Sequence, residues 1–163
     1  MRVYLIICFI DGLCEAAYEG GPQNPGGVAT YGYRVIRDGK LLAEDSGVIG
    51  EGPGMTNIVA EYEALAQVLS YLVKMNMTGE AVEIRSDNKM LVNQMKGEWK
   101  VHGGAYLQYH DKARLLASNF PRISYKWVPR DSNAEADALT RKAYRQYLAN
   151  RPHTKIGTDS VYN

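Results

Sequence analysis

Apolar and polar positions follow two different rhythms along this chain, and their order outlines an α/β domain. Val3 to Ile10 reads V-Y-L-I-I-C-F-I without a single charge, which suits a strand buried on both faces at the centre of a sheet. The run ends on Asp11-Gly12, where the glycine is expected to turn the backbone away and leave a carboxylate at the strand's carboxyl edge. Thr30 to Ile36 alternates as a half-exposed strand does, Asp38-Gly39 signals a tight hairpin turn, and Leu41 to Ile49 returns. The period then lengthens. Ala60, Ala64, Leu65, Val68, Leu69, Leu72 and Val73 recur at three and four, which predicts a helix over Ala60 to Met75 capped by Thr56 or Asn57. Ala81 to Ser86 reads as a short strand stopped at Asp87, and Asn88 to Met95 as a helix. A further helix over Ala105 to Ala117 should turn Leu107, Leu115 and Leu116 inward and Lys112 and Arg114 to water. Ile123 to Val128 is the last strand, and Asp131-Ser132-Asn133 with Glu135 announces a capped final helix reaching about Asn150.

The order β-β-β-α-β-α-α-β-α calls for helical crossovers on both faces of a mixed sheet. Right-handed connections set the fourth strand beside the first, giving a five-stranded order 3-2-1-4-5 with strand 2 antiparallel. Residues 1–150 make one domain, and the polar segment 151–163, which lacks a period, is expected to be a partly mobile tail. Cys8 and Cys14 match no zinc or redox spacing and suit a reducing compartment. The longest apolar run falls short of the roughly 20 residues that span a bilayer and follows Met1-Arg2 without a cleavage site, so a cytoplasmic protein without membrane attachment is expected. Net charge is only +1, but it is unevenly spread. Residues 1–111 hold 9 Lys and Arg against 14 Asp and Glu, or −5, while residues 112–163 hold 10 against 4, or +6. An acidic half that holds cations and a basic half that faces phosphates would produce such a split.

Four acids have reason to meet. Asp11 and Asp87 close neighbouring parallel strands, and Glu61 and Asp137 open two helices. Singly, each is a weak signal: a turn would explain Asp11, and the helix dipole would explain Glu61 together with its neighbour Glu63. Together they would repel by roughly 4 kcal/mol per pair at 4 Å and an effective dielectric near 20, so they want a counter-cation. Oxygen ligands without zinc-spaced Cys or His point to Mg²⁺ or Mn²⁺, and a pair of such ions about 4 Å apart is suited to phosphodiester hydrolysis.

Five segments carry a resemblance: F-I-D-G at 9–12, N-P-G-G at 24–27, T-N-I-V-A-E-Y at 56–62, S-D-N at 86–88 and W-V-P-R-D-S-N-A-E-A-D-A-L at 127–139. In this order and spacing the chain resembles the ribonuclease H type 1 family from about Val3 to Tyr144. The resemblance implies the ribonuclease H-like fold. It also implies a metal-dependent endonuclease that cuts the RNA strand of RNA/DNA hybrids and leaves 5′-phosphate and 3′-hydroxyl ends. Two Mg²⁺ ions per site, replaceable by Mn²⁺, would be held by Asp11, Glu61, Asp87 and Asp137, which also carry the catalytic roles. Glu63 is then a helix-surface residue.

Asn24 and Asn57 match positions that touch the substrate near its sugar or base edges, with loop capping as the open alternative. Thr56 matches a contact to a DNA-strand phosphate. Trp99 with Lys100 is similar to the family's duplex-gripping segment, or else Trp99 is packed. The histidine-containing loop of the best-known bacterial members is missing, as in the shorter, archaeal-like branch. Arg130 is the candidate in its place for handling the scissile phosphate or product release, with a salt bridge to Asp131 or Glu135 as the alternative. Ile58 and Lys89 stand where many relatives have amides, and the basic protrusion is reduced to Lys96 through His102. His102, His110 and His153 are expected to be bystanders, and the protein a monomer. A binding module without activity, or an exonuclease or junction resolvase on the same fold, is the rival reading.

Overall fold

The computed structural model describes residues 4–16 and 27–150; Asn24 and the segment 151–163 lie outside the described residues. The elements are β1 (Leu5–Ala16), β2 (Gly27–Arg37), β3 (Lys40–Gly52), α1 (Asn57–Lys74), β4 (Ala81–Ser86), α2 (Lys89–Met95), α3 (Leu107–Ala117), β5 (Ile123–Trp127) and α4 (Ala134–Asn150). The strands form one sheet in the order β3-β2-β1-β4-β5, with β2 antiparallel to both neighbours and β1, β4 and β5 parallel. This is the topology that the order of elements predicted.

One face of the sheet carries the main core. Ile6, Cys8 and Ile10 of β1, with Val82 and Ile84 of β4, pack against Tyr62, Leu65, Leu69 and Leu72 of α1 and Leu91 of α2. Each large apolar side chain fully withdrawn here contributes about 1.5–3 kcal/mol. On the other face α4 lies across β1, β2 and β3, burying Ala136, Thr140 and Ala143. That cover is incomplete. Leu5 is 49% exposed, and Ile7 and Phe9 are only partly buried, so β1 is fully buried on one side rather than on both.

α3 also departs from expectation. Its inward residues are His110, Ala113 and Ala117, whereas Leu107 and Leu115 face water and Leu116 is partly packed. Small residues set the contact face because α3 lies close against α1; His110 meets the Tyr62 ring edge-on at 5.3 Å. Glu63, expected on the helix surface, is buried for the same reason: α3 covers it, and Lys112 Nζ lies 2.8 Å from its Oε1.

The largest correction concerns Asp11. β1 does not stop there. Through Phe9 it pairs with both β2 and β4; β4 then leaves the sheet at Ser86, and β1 continues to Ala16 along β2 alone. Gly12 does not release a turn. A Cβ at this position would lie 2.3 Å from the carbonyl carbon of Ala60 and from the nitrogen of Glu61, so only glycine lets the α1 backbone come this near. Gly32, the partner of Asp11 on β2, does the same for α4, since a Cβ there would sit 2.8 Å from the Ala136 carbonyl oxygen. Two glycines thus admit two helices beside Asp11.

Gly12→Ala should therefore destabilise the protein by at least about 2 kcal/mol, or displace α1, because backbone rather than a mobile side chain is in the way. Urea unfolding measures this, and a loss below about 0.5 kcal/mol would show that the contact is soft.

Candidate active site

Each of the four acids is placed by a local device. Asp87 follows β4 and precedes α2. There the Asn88 amide donates to Ser86 Oγ at 3.0 Å, Asn88 Oδ1 caps α2 by accepting from Leu91 N at 2.9 Å, and Trp127 Nε1 donates to the Asp87 carbonyl at 3.1 Å. Glu61 sits in the second turn of α1, whose start is capped by Thr56 Oγ1 accepting from Val59 N at 3.2 Å. Asp137 belongs to the first turn of α4. The residues Asp131, Ser132 and Asn133 expected to cap that helix form a 3-10 turn with Arg130 instead. Asn133 Nδ2 donates to the Ile10 carbonyl at 2.8 Å, one residue past the last β1–β4 pair, and anchors the start of α4 beside Asp11.

The result is a cluster of oxygens at the edge where β1 and β4 part. One carboxylate oxygen each from Asp11, Glu61 and Asp87 lies within 4.8 Å of the others. Asp137 stands just outside this triad, close enough to hydrogen-bond Asp11, and lines the same cavity of about 320 Å³ together with Cys14, Asn57, Arg130 and Arg141. Burial, then the charges of Asp87 and Asp137, push Asp11 up to about 7. Burial and then the charges of Asp11 and Asp87 raise Glu61 well above the usual carboxylate range. Asp87 is also raised by burial, an effect that the nearby Arg130 guanidinium partly offsets. Arg130 Nε is 3.9 Å from Asp87 Oδ2, and Arg141 Nε is 3.1 Å from Asp137 Oδ2. Neither arginine pairs with Glu61, whose Oε2 is buried without a hydrogen-bond partner. A cluster of three carboxylates, one of which has a buried oxygen without a partner, fits a hard divalent cation, and these three ligands offer none of the nitrogen or sulfur that softer ions prefer.

The remaining candidates divide. Asn57 lines the cavity, but its Oδ1 accepts from Cys14 N at 3.0 Å, clasping the far end of β1 to the start of α1. Thr56 is engaged as the α1 cap. Arg130, with its side chain 88% exposed, leans towards Asp87 rather than pairing with Asp131 or Glu135. Trp99 is 50% exposed and Lys100 is exposed, both on the link between α2 and α3. Ile58 packs against the core, and Lys89 Nζ sits 4.6 Å above the Trp127 ring. His110 is a core residue, and His102 is exposed. Two residues of the site escaped the sequence reading. Arg141 had a usable signal, its spacing of four from Asp137 on one helix; the anchoring role of Asn133 depends on a β1 carbonyl that no local pattern reveals.

Residues 34–143 match the reverse transcriptase-like family model. Ribonuclease HI of Halobacterium salinarum is 32% identical over 81% of this chain and 64% of its own length. The bifunctional protein Rv2228c of Mycobacterium tuberculosis is 41% identical over 77% of this chain, which spans about a third (34%) of that relative's length. The solved N-terminal RNase H domain of Rv2228c is 35% identical, covering 91% of this chain and 99% of the domain chain, with a TM-score of 0.73. The chain belongs to the ribonuclease H type 1 family. LC11-RNase H1, solved in complex with an RNA/DNA hybrid, is 33% identical to this ribonuclease H, with 88% and 99% of the two chains covered and a TM-score of 0.73. Only residues 128–133 separate β5 from α4, too few for a histidine loop.

The raised acids make stability depend on pH. Asp11 moves from an ordinary 3.8 towards about 7 on folding, so between these values the native state binds the extra proton and a rise in pH costs stability. In metal-free ribonuclease H, the Tm advantage of Asp11→Asn over wild type should therefore grow from about pH 5 to about pH 8 and shrink when Mg²⁺ is added. Calorimetric or fluorescence melting follows this difference, and a gap independent of both pH and Mg²⁺ would contradict the shift.

Proposed function

We propose that this ribonuclease H is an endonuclease that hydrolyses the RNA strand of RNA/DNA hybrids with two divalent ions, Mg²⁺ or in its place Mn²⁺, leaving 5′-phosphate and 3′-hydroxyl ends. The observation that carries the proposal is the triad of carboxylate oxygens within 4.8 Å, one of its members holding a buried oxygen without a partner. Asp11, Glu61 and Asp87 would hold one ion, and Asp137 beside Asp11 would help hold the second. Bound there, the ions supply hydroxide at neutral pH and stabilise the leaving oxygen.

The chain's own residues do the rest. The Arg130 guanidinium, exposed at the rim next to Asp87, is placed to take a phosphate oxygen in a charge-assisted pair. Asn57 and Asn24 are assigned to the sugar or base edges, where the 2′-hydroxyl separates RNA from DNA, and Thr56 to a DNA-strand phosphate. Trp99 and Lys100 offer a stacking surface and a cation to the DNA strand from the α2–α3 link. Residues 1–150 would act as one catalytic unit, a monomer working in the cytoplasm, with 151–163 as its tail. Support for the substrate comes from the LC11 relative bound to a hybrid, and none of the described helices is long and apolar enough to cross a membrane.

Incubation with labelled RNA/DNA, RNA/RNA and DNA/DNA duplexes, with Mg²⁺, Mn²⁺ or chelator, tests the reading. Cleavage of the hybrid's RNA strand alone, dependent on metal and giving fragments that a 3′-end ligation can extend, is the expected pattern; metal-independent cutting or none would refute it. Asp11→Asn, Glu61→Gln and Asp87→Asn should each fall below a thousandth of the wild-type rate, about 4 kcal/mol on the barrier, while remaining folded. Arg130→Ala should lower kcat about tenfold with KM within about twofold, and an unchanged kcat would remove Arg130 from the reaction.

A further inference from the structure

The link between α2 and α3 is held from below by one buried amide. Gln94, 3% exposed near the end of α2, makes three hydrogen bonds. Its Oε1 accepts from Tyr62 Oη at 2.6 Å, while Nε2 donates to the Lys100 carbonyl at 3.2 Å and lies 3.1 Å from Tyr106 Oη. Tyr62, fully buried in α1, stacks on Tyr106 with ring centroids 5.9 Å apart. The preceding residue completes the grip, since the Asn93 carbonyl accepts from Glu98 N at 2.9 Å and from Trp99 N at 3.1 Å. Glycines with positive φ stand on either side of the held stretch, Gly97 at +79° and Gly104 at +150°. Between them Glu98, Trp99, Lys100 and His102 turn their side chains to water. The backbone here is bound to the core while the side chains are left free.

A buried amide is a costly way to fill space in an apolar core, and an aliphatic residue of similar volume would serve packing better. What the amide adds is a donor aimed at the Lys100 carbonyl. We propose that Gln94 is a positioning residue for substrate, holding the Trp99–Lys100 backbone in the shape that presents both side chains to the hybrid. It sets affinity by sparing the link an ordering cost on binding, and takes no part in the chemistry at the carboxylates. This rests on the reading of Trp99 and Lys100 as the grip on the duplex. α2 spans only seven residues, so it ties the grip at one end to Asp87 at the other through one short rigid element.

The test compares Gln94→Leu, the double variant Trp99→Ala/Lys100→Ala and the three changes combined. Binding of an RNA/DNA hybrid is followed by fluorescence anisotropy in chelator, cleavage kinetics are taken in Mg²⁺, and amide exchange is measured over 98–102. Gln94→Leu should weaken hybrid binding and raise KM about tenfold, leave kcat within about twofold, and speed exchange at 98–102 without changing it in α1. Added to the double variant, it should weaken binding by less than about twofold further, because the grip it positions is already gone. Additive losses, a fall in kcat that matches the rise in KM, or wild-type affinity in Gln94→Leu while the double variant is weakened would overturn the proposal. Wild-type affinity in Trp99→Ala/Lys100→Ala would instead overturn the reading of the link as the grip, and the proposal with it. Should Gln94→Leu not fold, Gln94→Glu carries the same test, since it keeps an acceptor for Tyr62 and loses the donor to Lys100.

Discussion

Mutual repulsion among buried carboxylates is the constraint around which this molecule is arranged. Asp11, Glu61 and Asp87 place oxygens within 4.8 Å of one another in a site that solvates them poorly. At roughly 4 kcal/mol per pair, such repulsion approaches the whole net stability of a typical domain, about 5–15 kcal/mol. The scaffold offsets it by setting each acid on an element whose position is decided elsewhere. β1 is held by Ile6, Cys8 and Ile10, α1 by Tyr62, Leu65, Leu69 and Leu72, and β4 by Val82 and Ile84, all in the core. None of the three acids can relax away without taking its element along. Protonation, as at Asp11, or a bound cation is the remaining relief.

The parting of β1 from β4 makes room for this arrangement. While the two strands pair, the sheet has no gap; one pair further on, β4 turns off at Ser86 and the space beside β1 opens into the cavity. Gly12 and Gly32 then let α1 and α4 close on Asp11 with nothing but backbone between. A site built on strands and on the opening turns of helices, rather than on long loops, keeps its geometry as the surrounding side chains move.

The proposed substrate contacts reach further than the cluster. Arg130 and Arg141 bring positive charge to the cavity rim, each paired with one acid, so the site carries both signs within a few ångströms. The proposed grip on the duplex lies at the opposite end of α2, and its exposed Trp99 and Lys100 hang from a backbone tied to the core. Recognition and chemistry would then share one small rigid body, the benefit being that binding the duplex sets the scissile strand in register with the acids.

Much of the fold and of the site could be read from the chain alone, because the signals were local. Periods of two and near 3.6 marked the strands and helices, Thr56 and Asn88 announced helix starts, and Asp11, Glu61, Asp87 and Asp137 stood where an apolar run or a helical pattern begins or ends, positions that the topology gathers at one edge even though β1 itself runs on past Asp11. What stayed hidden depended on partners distant in sequence. An apolar-polar rhythm says that a side chain leaves water but not what it meets, so Glu63, which looks like a surface acid, is buried because α3 crosses over it. Leu115 looks like a core residue and is 74% exposed, because Ala113 and Ala117 take the contact with α1. Gly12 reads as a turn and is an approach point, a difference that exists only once α1 has docked. Gln94 gives no hint in the chain of the carbonyl it holds. Composition and period determined which elements form and in what order they pair; close packing between them decided which side chains could stand where, since steric exclusion acts between neighbours in space and not in sequence.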